Sequence, residues 1–85
     1  MRKVLFEQAA FEQYNDWAAT NIKIFKKISK MIVETSRSPF EGIGQPEPLK
    51  NKLHGFWSRR IDSEHRLIYM VTDTEILITS CKFHY

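Results

Sequence analysis

All three prolines (Pro39, Pro46, Pro48) and all three glycines (Gly42, Gly44, Gly55) of this 85-residue chain fall between Ser36 and Gly55. Neither a helix nor a regular strand runs through such a stretch, because proline removes a backbone donor and glycine favours turns. The chain is therefore sorted into two halves with different periods. Residues 2–6 read as a short strand. From Glu7 onward, Ala10, Phe11, Tyr14, Trp17 and Ala18 recur at three- and four-residue spacing, the mark of one helix face. Thr20-Asn21 reads as a break and a cap. A second helix follows, with Ile24, Phe25, Ile28, Met31 and Ile32 as its apolar stripe and Lys23, Lys26, Lys27 and Lys30 as a solvated face.

Beyond Gly55 the pattern becomes strand-like, with aromatic and β-branched residues in 56–61, 65–71 and 75–83. Asp62-Ser63-Glu64 and Thr72-Asp73-Thr74 supply the turns. Helices segregated from strands predict an α+β fold, a small antiparallel sheet with two N-terminal helices packed on one face. A chain of 85 residues is expected to form a single domain, 1–85. It leaves no room for a Rossmann unit with a substrate domain, a TIM barrel or a kinase. One cysteine excludes an internal disulfide framework, and with three scattered histidines it cannot make a four-ligand zinc site of Cys and His alone. No stretch approaches the ~20 apolar residues of a membrane span, and Val4-Leu5-Phe6 is too short for a signal-peptide core. The expectation is a cytoplasmic protein without a membrane anchor. A core this small, with neither staple nor metal, favours a partner chain. The long irregular segment is of the kind that is either functional or disordered.

Charge concentrates between Lys50 and Arg66, where Lys50, Lys52, Arg59, Arg60 and Arg66 stand against Asp62 and Glu64, interleaved with Phe56 and Trp57. Cations hold phosphates and rings stack on bases, so the patch suits a nucleic acid; the plainer alternative is a solvated edge over an aromatic core. Register bears on the choice. A three-residue loop at 62–64 sets Arg60 opposite Arg66, and a two-residue loop sets Arg59 there instead. Either way two like charges face each other, which costs a few tenths of a kcal/mol or more. An anion bound between them is a strong reason to tolerate this, and guanidinium groups pair bidentately with phosphate.

Glu47 sits between Pro46 and Pro48, whose rings hold its carboxylate on a stiff segment. His84 and Tyr85 follow a strand-like run. A carboxylate, an imidazole and two guanidiniums make a set able to cleave RNA, which carries its own 2′-OH nucleophile. One group takes that proton, another protonates the leaving 5′-oxygen, and cations stabilise the charge in flight. Such a scheme needs no metal and no cofactor. It sets a geometric condition. A two-residue turn at 73–74 points His84 away from Arg66, whereas an odd turn, a bulge or a terminus that leaves strand geometry brings them to one face.

The run SPFEGIGQPEPLKNKLHGFWSRRIDSEHRLIYMVTD, followed by CKFHY, closely resembles the YoeB/Txe toxins of bacterial toxin–antitoxin modules, within the RelE superfamily. The resemblance implies a ribosome-dependent mRNA endonuclease that cuts in the ribosomal A site and leaves a 2′,3′-cyclic phosphate and a 5′-hydroxyl. It implies a YefM-like antitoxin as partner and a homodimer when free. Residue by residue, Glu47 resembles the general base, His84 the general acid, Arg66 the transition-state cation and Tyr85 a substrate-orienting terminal residue. Lys50, Arg59 and Arg60 resemble phosphate or rRNA contacts. Ile43 and Gln45 depart from the pattern, standing where some relatives carry lysine. The competing classes are a gyrase poison of the same fold, like the ParE group, and a plain ribosome- or RNA-binding module. Cys81 is expected to be a packed strand residue without a chemical role.

Overall fold

The computed structural model describes residues 1–83, so His84 and Tyr85 lie outside the described residues. Strand β1 (Lys3–Phe6) leads into helices α1 (Gln8–Thr20) and α2 (Ile22–Arg37). After the irregular segment come β2 (Glu47–Pro48), a 3₁₀ turn at Asn51–Leu53, β3 (Phe56–Arg60), β4 (Arg66–Val71) and β5 (Glu75–Ser80). The break between the helices is a single residue serving both. The Asn21 backbone N–H donates to Trp17 O at 2.8 Å, closing α1, while its side-chain oxygen accepts from the Ile24 N–H at 3.2 Å, capping α2.

The sheet order is β1-β5-β4-β3-β2. Strands β2 to β5 pair antiparallel, but β1 runs parallel to β5, so the sheet is mixed and not wholly antiparallel as the sequence led one to expect. The helices occupy the chain between β1 and the hairpins, and a crossover of that length permits a parallel pair. Both helices pack on one face, as expected. Ala10 and Trp17 from α1 and Ile28, Met31 and Ile32 from α2 meet Leu67, Tyr69, Ile76 and Ile78 from the sheet. Phe11 instead turns outward, and its ring edge meets Phe6 at 6.0 Å between centroids. Lys27 also leaves the solvated face, donating to the Ile61 carbonyl.

The hairpin registers position everything that follows. Arg60 pairs with Arg66 across β3 and β4, the three-residue-loop alternative. Asp62 builds that loop by accepting from the Glu64 and His65 N–H groups at 2.8 and 2.7 Å. Burial opposes ionisation of Asp62, but these two bonds, with the charges of His65 and Lys27, outweigh it and hold the carboxyl below its usual value. Between β4 and β5, Val71 pairs with Ile76 but Ile68 pairs with Ser80, so a bulge shifts the register between Tyr69 and Ile68. A bulge is one of the three ways the cleavage reading can meet its geometric condition. β5 ends at Ser80, short of the expected Phe83. Phe83 has left strand geometry with φ 63°, yet its carbonyl accepts from the Arg66 N–H at 2.8 Å and its own N–H donates to His65 Nδ1 at 2.7 Å.

Candidate active site

Side chains alternate across a sheet, so the registers divide the basic residues between two faces. One cross-strand row on the face away from the helices runs Glu47–Ser58–Ile68; Ser80, paired with Ile68 beyond the bulge, turns its hydroxyl to Gln13 of α1. The next row on the same face, two residues along, begins Arg60–Arg66. Ser58 and Ile68 are buried and form the floor, while Glu47 and Arg60 are exposed at the rim and Arg66 is half-buried. Strand spacing and rise put the Cα atoms of Glu47 and Arg66 ~12 Å apart, two strands over and two residues along. A glutamate and an arginine reaching inward from that distance leave room for one phosphodiester between them.

The two cations are held differently. Arg66 Nη1 donates to the carbonyls of Asp62 at 3.0 Å and His65 at 3.2 Å, which fixes the guanidinium over the loop. The Arg60 side chain makes no hydrogen bond among the described residues, although its backbone N–H is bonded to Gly44 O. Among the described residues no carboxylate lies within ion-pairing distance of either guanidinium. Two like charges therefore face each other on the open side of the sheet without a neutralising carboxylate among the described residues.

Glu47 is delivered from the side. Its two-residue strand lies on the β3 edge, opposite Ser58, and Leu49 N–H bonds to Phe56 O at 2.9 Å to close the register. The ring on each side of Glu47 limits the backbone angles. Lys50 is exposed immediately beyond.

Arg59 does not belong to this surface. Reading it as a phosphate contact is corrected by its position on the opposite face, where it points under the helices and is 0% exposed. All of its donors are taken by the protein itself, including Tyr69 and Glu34. Glu34 and Tyr69 were not singled out from the sequence. The signal available was the F-E-G-I-G run, whose paired glycines mark a backbone passing close to something bulky. The catalytic expectations for His84 and Tyr85 fall outside the described residues. Cys81 is buried, and burial pushes its thiol up to about 12, which suits packing and not nucleophilic chemistry.

Two helices on one face of a five-strand mixed sheet form the α+β architecture of RelE-like toxins of bacterial toxin–antitoxin modules. A family model described as a YoeB-like toxin of bacterial type II toxin–antitoxin systems matches residues 6–85. The chain belongs to the YoeB toxin family. Toxin YoeB of Escherichia coli (strain K12) is 51% identical to it over 83 residues, covering 98% of this chain and 99% of that protein. Among solved structures, the YoeB dimer from Staphylococcus aureus matches with a TM-score of 0.91 at 45% identity, covering 99% of this chain and 98% of that one. The YoeB–YefM complex from Staphylococcus aureus matches with a TM-score of 0.89 at 45% identity, covering 100% and 99%.

Proposed function

We propose that this toxin is an mRNA endonuclease that acts on the translating ribosome in the cytoplasm. The observation that carries the reading is the Arg60–Arg66 pair, facing across a hairpin on the open side of the sheet with Glu47 one row away. A scissile phosphate bridging the two guanidiniums accounts for the juxtaposition. Glu47 takes the proton of the 2′-OH, and the freed oxygen attacks the adjacent phosphorus. The P–O5′ bond breaks as His84 gives its proton to the leaving oxygen. The products are a 2′,3′-cyclic phosphate and a 5′-hydroxyl. Arg66 and Arg60 stabilise the charge that builds on the non-bridging oxygens. Tyr85 orients the substrate, and Lys50 contacts a neighbouring phosphate.

A YefM-like antitoxin neutralises the protein, and the free toxin is a homodimer. Both statements are supported by the YoeB–YefM complex and the YoeB dimer solved for relatives at 45% identity. The test is primer extension on mRNA in a purified translation system. Stops inside A-site codons that vanish with Glu47→Ala support the proposal. Stalled but intact message favours a binding module, and unimpaired translation leaves the gyrase reading.

A further inference from the structure

We infer that the ion pair between half-buried Glu34 and fully buried Arg59 is a positioning device that sets Glu47 against the cationic row; this rests on the endonuclease reading above. Arginine carries five N–H donors in a fixed fork, and here each has an acceptor. Nε donates to the Tyr69 hydroxyl at 3.1 Å. Nη1 donates to Glu34 Oε1 and to the Ile43 carbonyl, both at 3.2 Å. Nη2 donates to the carbonyls of Ser38 at 2.5 Å and Glu41 at 3.0 Å. Three of these acceptors are backbone of the one segment that has no regular structure of its own. Most of that segment is exposed, but its carbonyls at 38, 41 and 43 turn inward, away from bulk water, and need partners; this side chain supplies them.

The pair grips the segment from both directions. Glu34 Oε1 accepts from the Ile43 N–H at 2.7 Å, so residue 43 is bonded through its N–H and its carbonyl. The Tyr69 hydroxyl, held by Arg59, donates to Pro39 O at 2.7 Å. Gly42 is what lets the carboxylate approach, since a Cβ there would stand 1.8 Å from Glu34 Oε1. The segment then crosses to the β3 edge, where Gly44 at φ +81° approaches Arg60 so closely that a Cβ would lie 2.8 Å from its carbonyl. Three residues later comes Glu47, after Gln45 and the rigid Pro46. The bonds that fix residues 38–43 thus fix where the carboxylate emerges. Arg59 and Arg60 are neighbours on β3 facing opposite ways, so one strand holds both the substrate cation and the anchor of the opposing base.

Glu34 and Arg59 are positioning residues, and they act through Glu47. A displacement of about 1 Å at a reacting group can cost on the order of 10²-fold in rate. Glu34→Ala is expected to lower the single-turnover cleavage rate on saturating ribosome complexes by roughly 10–100-fold, with ribosome affinity unchanged. Glu34→Gln, which keeps the oxygen acceptor, is expected to recover most of that loss. In a Glu47→Ala background, Glu34→Ala should add no further loss, because the group it positions is already gone. Amide hydrogen exchange over residues 38–48 provides a readout independent of cleavage, faster in Glu34→Ala and near wild type in Glu34→Gln. Equal fold losses in both backgrounds, or unchanged exchange in the segment, would overturn the inference. If the wild-type protein cuts no message, the endonuclease reading fails instead, while the exchange data still report on the clamp.

Discussion

Removing one member of the facing arginine pair should stabilise the fold while weakening the proposed cleavage. Arg60→Gln is the informative change, because the Arg60 side chain is exposed and makes no hydrogen bond among the described residues. Among the described residues no hydrogen bond or ion pair of this side chain is lost, and a like-charge contact with Arg66 is relieved. Two unit charges about 6 Å apart in water repel by roughly 0.7 kcal/mol, within the ~0.2–1 kcal/mol found for directly opposed cross-strand pairs. The Asp62 and His65 carbonyls that receive Arg66 already offset part of this. A net gain of about 0.2–0.7 kcal/mol remains, which for a domain this small raises Tm by roughly 1–5 °C. Thermal melts at low ionic strength read it directly. In ~1 M salt, where the Debye length is about 3 Å, the difference should all but vanish. Lys23→Gln, on the exposed side of α2, removes the same net charge without touching the pair and should give a smaller gain. A Tm for Arg60→Gln that falls, or that rises no more than for Lys23→Gln at either salt, would refute the reasoning.

Three further outcomes follow from the geometry. Glu47→Ala, on an exposed two-residue edge strand, should leave Tm within about 2–4 °C of wild type, since such surface changes stay within ~0.5 kcal/mol; single-turnover cleavage should drop by roughly 10²–10⁴-fold. Cys81→Ser should leave cleavage intact, and with its thiol pushed up to about 12, Cys81 should react with iodoacetamide at pH 8 only as the protein unfolds. Asp62 has a carboxyl held below its usual 3.8, so its ionised form contributes stability at and above that pH, and the contribution is lost as pH falls through the lowered value. Asp62→Asn should therefore be less stable than wild type at neutral pH, with the gap closing in acid below 3.8, as followed by denaturant titration.

Much of this arrangement is legible in the sequence. The shift in hydrophobic period, the cap at Asn21 and the clustering of proline and glycine define the helix pair, the irregular segment and the hairpins. The three-residue turn fixes Arg60 opposite Arg66 because Asp62 has two N–H groups within reach. What escaped is long-range. Strand alternation separates Arg59 from Arg60 but does not say which of them faces the helices, and charge alone points both outward. The proximity of Glu34, the Tyr69 hydroxyl and three loop carbonyls makes a buried guanidinium tolerable. The parallel pairing of β1 was equally hidden, since a four-residue edge strand carries no signal of direction. The bulge between β4 and β5 adjoins the Tyr69–Ile78 pair, which packs under the helices, and local pattern does not show where a register shifts.

The central claim is that the message supplies its own nucleophile to a base on β2. It is tested by programming ribosomes with an mRNA carrying a single 2′-deoxynucleotide 5′ to the cut linkage. Wild-type toxin should cut the all-ribose message and leave the substituted one whole while still binding its ribosome complex. Cutting of both messages at the same rate would contradict the account.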